Sequence, residues 1–104
     1  MKETTVQQLK ERRDRGDDFI LLDVREPHEY QISNIDGKLI PQDELPNRLD
    51  ELNKEKEVVV MCRSGARSAK ACELLEKNGF SNVSNLKGGV NAWAKEIDTS
   101  LPVY

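Results

Sequence analysis

The sequence predicts an α/β fold, a mostly parallel sheet with helices on both faces. Two runs, Phe19-Ile20-Leu21-Leu22-Asp23-Val24 and Val58-Val59-Val60-Met61, are nearly continuous in apolar residues, as strands buried on both faces are. Strand-like runs alternate with amphipathic segments, which requires crossover connections and parallel neighbours. The chain has 104 residues, enough for one domain over residues 1–104 with its own core.

The elements follow in order. Thr5 with Gln8 three residues on forms a capping box that opens a helix over roughly 6–15, with Val6 and Leu9 inward. Gly16 stops it, and Asp17-Asp18 turn the chain into the strand at 19–24. Pro27 suits the first turn of a short helix. Asp36-Gly37 signals a turn before a short strand at 38–41, which Pro41 keeps brief. Asp43 then starts a predicted helix with Pro46 in its first turn and Leu45, Leu49 and Leu52 on one face. After the strand that ends at Cys62, residues 66–78 form the next helix, closed by Asn78-Gly79. Val83-Ser84-Asn85-Leu86 is a last short strand. Gly88-Gly89 turns into a final helix marked by Val90, Trp93, Ala94 and Ile97, and Leu101-Pro102-Val103-Tyr104 is extended.

Composition narrows the function. Charged residues make up 34% of the chain and the formal net charge is −3, which argues against nucleic acid or an anionic membrane as partner. Two cysteines and a single His28 offer neither a disulfide framework nor a zinc site, so no metal is expected. The start Met1-Lys2-Glu3-Thr4-Thr5 lacks an apolar leader, and no apolar run is long enough to span a bilayer. The expectation is a reduced, cytoplasmic, monomeric protein in which a free thiol persists.

One stretch reads as chemistry. Cys62-Arg63-Ser64-Gly65-Ala66-Arg67-Ser68 joins a buried strand to a helix N-terminus, where backbone N–H groups and the helix dipole favour a thiolate. Gly65 lets successive amides turn inward as an anion-binding nest. From Cys62 to Lys70 there are three cations and no acid. A thiolate there is able to attack an anionic substrate, and the same donors would hold the charge that results. From spacing alone a second reading stands beside it: a cysteine ending a strand next to an ordinary solvated basic turn. Cys72, on an apolar helical stripe, reads as a core thiol, as Trp93 reads as core. The carboxyl ends of the strands, where open α/β sheets bind ligands, hold both Asp23 and Cys62.

The loop C-R-S-G-A-R-S resembles the active-site loop of single-domain rhodaneses, and the likeness runs on through the chain. Leu21-Leu22-Asp23-Val24-Arg25-Glu26-Pro27-His28-Glu29-Tyr30 is similar to that family's L-D-V-R-x-x-x-E-[FY] segment. Residues 35–41 resemble its I-x-G-A-x-x-I-P segment, and residues 86–93 its closing G-G-x-x-x-W. The resemblance implies five strands and a sulfurtransferase without cofactor. In it Cys62 takes sulfane sulfur from thiosulfate or a persulfide donor and passes it to a thiol, cyanide or a sulfur carrier. It further implies that Arg63, Ser64, Gly65, Ala66, Arg67 and Ser68 surround the transferred sulfur. Arg63 and Arg67 would draw in the anionic donor, while Asp23 and Arg25 support the loop. Ser33-Asn34, Asp36 and Lys38 depart from the commoner residues, away from the loop. Residues 40–46 and 100–104 resemble the rhodanese domain fused to adenylylating enzymes of molybdopterin and thiamine sulfur chemistry. Two rival readings stand beside it: a non-catalytic module on the same fold, and a cysteine phosphatase. The phosphatase loop C-x-x-x-x-x-R has five residues between Cys and Arg; here four separate Cys62 from Arg67.

Overall fold

A computed structural model describes residues 1–104. Five strands, β1 (Lys2–Thr4), β2 (Ile20–Asp23), β3 (Lys38–Leu39), β4 (Val58–Met61) and β5 (Val83–Leu86), form one sheet in the order β1-β5-β4-β2-β3. Every neighbouring pair is parallel. Four helices complete the chain: α1 (Val6–Arg15), α2 (Pro27–Ile32), α3 (Ala66–Lys77) and α4 (Gly89–Glu96). No helix is long and apolar enough to cross a membrane.

Strand periodicity divides the core in two. Side chains on a strand alternate between faces, so Val58, Val60 and Cys62 pack with Leu22, Val24, Leu45, Ala71, Cys72 and Leu75 on the α3 side. Val59 and Met61 pack with Val6, Leu9, Leu86, Val90 and Trp93 on the α1 and α4 side. All four β4 residues are fully buried, which is why this strand carries no polar alternation. The register sets Asp23 level with Met61 and Val60 level with Asn85. The carboxyl ends of β2, β4 and β5 therefore bring Asp23, Cys62 and Asn85 to one edge of the sheet.

The caps read from sequence are in place. Thr5 Oγ1 accepts from the Gln8 N–H, and Gln8 Oε1 accepts from the Thr5 N–H. Gly16 closes α1 at φ 74°. Two elements differ from expectation. β1 lies in polar sequence at the sheet edge, held by its ladder to β5 and by a Thr4–Ser84 hydroxyl bond of 2.7 Å. The helix expected from Asp43 is instead two single 3₁₀ turns, Leu45–Asn47 and Leu49–Glu51. Pro46 supplies no N–H, and Arg48 at φ −129°, ψ 18° leaves the helical path between them. Their carbonyls close three-residue bonds, Arg48 N–H to Leu45 and Leu52 N–H to Leu49. Leu45 and Leu52 still reach the core, while Leu49 is half-buried.

The start of α4 packs directly on the segment that leaves β4. The Val90 N–H donates to the Cys62 carbonyl at 3.0 Å and the Asn91 N–H to the Arg63 carbonyl at 3.2 Å. Gly89, at φ 61°, sits between them, and a Cβ there would stand 2.4 Å from the Cys62 oxygen and 2.5 Å from the Arg63 oxygen. Gly16 also has positive φ, but a Cβ there meets nothing within 4 Å. Gly89→Ala is therefore expected to cost about 3 kcal/mol, strain plus overpacking, against about 1 kcal/mol for Gly16→Ala. Urea unfolding midpoints of the two variants check the difference.

Candidate active site

Cys62 is the first residue beyond β4, and its side chain points into the turn that starts α3. Gly65 adopts φ 119°, open to glycine alone, and reverses the chain so that amides face the sulfur. The Gly65 N–H donates to Cys62 Sγ at 3.1 Å and the Ser68 N–H at 3.4 Å, and Ser68 Oγ lies 3.3 Å away. The Cys62 and Arg63 carbonyls are held by α4, and the Arg67 carbonyl, whose peptide carries the Ser68 N–H, accepts from Gln42 Nε2 at 3.3 Å, so these oxygens are engaged away from the sulfur. The result is a ring of donors around one sulfur atom, the nest expected from the sequence.

Burial pushes the Cys62 thiol up, since the residue is only 1% exposed. Hydrogen bonds from the Ser68 hydroxyl and from the Ser68, Gly65 and Ser64 amides outweigh burial, and the pKa lies below the ordinary thiol value. The groups that touch the sulfur favour the anion most, and the Arg67 charge interacts with that of Cys62 as well. Cys72, equally buried but surrounded by apolar side chains and near Glu76, is pushed up to about 12. Both thiols are free.

Asn85 on β5 fastens the turn. Its Nδ2 donates to the Gly65 carbonyl at 3.0 Å, and its Oδ1 accepts from Ser68 Oγ at 2.5 Å. Ser68 has one hydroxyl proton for the sulfur, the Gly65 carbonyl and Asn85. With a thiol, Cys62 donates to Ser68 and Ser68 to Asn85. With a thiolate, the Ser68 hydroxyl turns to the sulfur.

The two loop arginines part company. Arg67 forms a two-pronged ion pair with Glu29 of α2, at 2.6 and 2.8 Å, so its cation is already paired with a carboxylate. Arg63 is exposed, and its Nε donates to the backbone oxygen of Tyr104. Ser64 and Ala66 are also exposed, at the rim. Asp23 and Arg25, both fully buried, pair through Arg25 Nη2 to Asp23 Oδ2 at 2.8 Å. Neither side chain is hydrogen-bonded to the loop. Arg25 donates instead to the Ser33 and Glu29 carbonyls and to the Tyr104 hydroxyl, which fixes α2, and α2 holds Arg67 through Glu29. The Ser33 contact is made by backbone, so the family departure there leaves it intact.

Sequence reasoning missed Glu29, Asn85, Asn91 and Tyr104 as parts of the site. Glu29 lies inside a recognised segment, and its spacing from Arg25 was the available signal. Asn85, a polar residue in a short buried strand, was the other.

Residues 5–96 match the Rhodanese-like domain family. An Allochromatium vinosum protein named sulfurtransferase is 38% identical over 104 residues, covering 99% of this chain and 94% of that protein. The Zea mays adenylyltransferase and sulfurtransferase MOCS3-2 is 36% identical over 108 residues, covering 96% of this chain but 22% of the maize protein. The crystal structure of a rhodanese-like domain protein from Staphylococcus aureus superposes with a TM-score of 0.86 at 35% identity, covering 100% of this chain and 99% of that one.

The Glu29–Arg67 pair carries a pH signature. The Arg67 guanidinium, above all, holds the Glu29 carboxyl at about 2, down from 4.5. A carboxylate depressed on folding stabilises the fold fully above its unfolded value and loses that contribution as pH falls toward the folded one. Wild type is therefore expected to exceed Glu29→Gln in stability above pH 4.5, with the gap closing between 4.5 and about 2. Urea titrations of both proteins across that range measure it, and a gap independent of pH contradicts the assignment.

Proposed function

Because the chain belongs to the rhodanese-like domain family, we propose that it is a sulfurtransferase that carries sulfane sulfur on Cys62. The observation that carries this reading is the convergence of the Gly65 and Ser68 amides and the Ser68 hydroxyl on one buried sulfur. A thiolate so held is the attacking species.

In the first half-reaction the Cys62 thiolate attacks the outer sulfur of thiosulfate. The new bond is Sγ–S, the sulfur–sulfonate S–S bond breaks, and its electron pair leaves with sulfite. Cys62 becomes a persulfide anion, and charge is conserved. In the second, cyanide, a thiol or the terminus of a sulfur carrier takes the outer sulfur, and the electron pair of the Sγ–S bond returns to Cys62. Both half-reactions end with negative charge on sulfur inside the ring of donors, which stabilises thiolate and persulfide alike. No cofactor or metal enters either step. The amides of Arg63, Ser64, Gly65, Ala66, Arg67 and Ser68 are assigned the outer sulfur. Asp23 and Arg25 are assigned to holding α2.

A small anionic donor suits a sulfur ringed by the Gly65 and Ser68 amides and the Ser68 hydroxyl. A sulfur-carrier acceptor draws support from relatives whose printed names join adenylyltransferase to sulfurtransferase. We place the reaction in a reducing compartment, the cytoplasm, with residues 1–104 acting as one monomeric unit. Phosphatase chemistry fits poorly. The loop is one residue short, and the arginine that would bind a phosphoryl group is paired with Glu29.

With thiosulfate alone, intact-mass spectrometry is expected to find one added sulfur atom, mapping to Cys62. With thiosulfate and cyanide the protein is expected to form thiocyanate, and to leave p-nitrophenyl phosphate unhydrolysed. Cys62→Ala is expected to lose the added sulfur and the turnover while keeping its fold. Thiocyanate formation by Cys62→Ala at the wild-type rate overturns the proposal.

A further inference from the structure

Asn85 belongs to β5, a strand buried along its whole length, and is itself 6% exposed. Its amide can face the loop in one way only. The Gly65 carbonyl has no proton to give, so the Asn85 nitrogen faces it, at 3.0 Å, and Oδ1 faces Ser68 Oγ. The Gly65 oxygen also accepts from the Ala69 N–H at 3.1 Å, so both of its lone pairs are engaged.

Ser68 is fully buried, and its hydroxyl carries one proton. With the Gly65 oxygen filled, two acceptors compete for that proton, Asn85 Oδ1 at 2.5 Å and Cys62 Sγ at 3.3 Å. While Cys62 is a thiol there is no conflict: it donates to Ser68 Oγ, and Ser68 donates to Asn85. A thiolate has no proton to give and draws the Ser68 proton to itself. Asn85 Oδ1 then loses the one donor the structure gives it, at a buried position where an unmet acceptor is costly.

No charged side chain is bonded to Asn85 or to the Ser68 hydroxyl. Arg67 of α3 interacts with the charge of Cys62 but is bonded to Glu29 of α2, and Arg25 is bonded to Asp23 and Tyr104. Glu3, level with Asn85 on β1, is exposed, as are Arg63, Lys70, and Lys95 and Glu96 of α4. Cys72 is held as a thiol, pushed up to about 12.

We propose that Asn85 is a positioning residue that competes with the Cys62 sulfur for the Ser68 proton, and so restrains the thiolate that the loop amides favour. The serine hydroxyl switches between two acceptors, and Asn85 holds it in the resting position. This rests on the sulfurtransferase reading only for the reaction that the restrained thiolate serves. A residue that merely braced the loop would act in the opposite sense, because losing the brace loosens the ring of donors and disfavours the anion.

The pH dependence of Cys62 alkylation by iodoacetamide, read by peptide mapping, gives the thiolate midpoint. Asn85→Leu replaces both amide contacts with an apolar side chain of similar size. The Gly65 oxygen that it releases keeps its Ala69 N–H, and so competes less strongly than a stranded amide oxygen. Asn85→Leu is expected to lower the midpoint by about one pH unit, the scale set by one unmet buried acceptor. Asn85→Ala is expected to move it the same way. In a Ser68→Ala background the contested proton is absent, and Asn85→Leu is expected to leave the midpoint in place. Cys72, unreactive while the fold holds, reports on the integrity of each variant.

Wild type offers a readout that needs no change at Asn85. By carbon-13 NMR the Asn85 side-chain carbonyl carbon is expected to titrate with the Cys62 midpoint. That titration is expected to vanish in Cys62→Ala and to fade in Ser68→Ala, where the thiolate remains but the proton it would take does not.

A midpoint that rises or stays in either Asn85 variant, with Cys72 protected, overturns the proposal. So does a fall of equal size in the Ser68→Ala background. If Cys72 is labelled in both Asn85 variants, the carbonyl carbon decides: a signal that ignores the Cys62 midpoint, or that titrates as strongly in Ser68→Ala, overturns the proposal. Failure of thiosulfate to load Cys62, with these results as expected, removes the sulfurtransferase reading and leaves the Asn85 assignment standing.

Discussion

The site depends on where three carbonyl groups point. A peptide that turns its oxygen one way turns the N–H the other. Gln42 holds the Arg67 oxygen, whose peptide carries the Ser68 amide. Helix α4 holds the Cys62 and Arg63 oxygens, and with them the peptides of the Arg63 and Ser64 amides. Gly89 makes that approach possible by having no side chain where two backbone oxygens come within 2.5 Å of a Cβ position. Gly65 completes the reversal from the α3 side. A buried sulfur anion is costly unless it is well hydrogen-bonded. Here backbone supplies most of the bonds, and backbone donors need no reorganisation when charge moves from thiolate to persulfide.

A second set of contacts holds the outer wall. Asp23 neutralises Arg25, and Arg25 ties β2 to α2 and to Tyr104. Glu29 of α2 then clasps Arg67 in the first turn of α3. Burial opposes the Arg25 charge, but its bonds to Asp23 and Tyr104 more than offset that and raise its pKa. Removing either member of a buried pair of this kind leaves the other uncompensated, so the pair specifies geometry more than it adds stability.

Much of this was legible before any coordinates. The continuous apolar runs at 20–23 and 58–61, the Thr5 capping box, Pro27 at the start of α2 and the glycines at 16 and 65 each reflect a local physical requirement, and each element formed where those residues lie. β1 was not legible. Lys2-Glu3-Thr4 has no apolar pattern, and its strand exists only because β5 offers an unpaired edge. The leucine spacing at 45, 49 and 52 reported burial correctly but not the helix type, since Pro46 and the turn at Arg48 break the ladder that periodicity assumes. Cys62 and its loop stood out because nucleophile, glycine and cations are contiguous. Glu29, Asn85 and Tyr104 did not, because each joins the site from a distant part of the chain and carries no local mark of doing so. The Glu29 partner of Arg67 was hidden for the same reason: it lies 38 positions away.

The claim that hydrogen bonds at the sulfur overcome burial is open to direct titration. Thiolate absorbance near 240 nm, followed from pH 4 to 10 in wild type and in Cys62→Ala, isolates this thiol, because Cys72 is held up near 12. The account predicts one transition with its midpoint below about 8.5, the value of a free cysteine, present in wild type and absent from Cys62→Ala. It further predicts that Ser68→Ala moves that midpoint upward, since the Ser68 hydroxyl is the strongest of the bonds favouring the anion. A Cys62 transition at or above the free-cysteine value, or one that Ser68→Ala leaves in place, contradicts it.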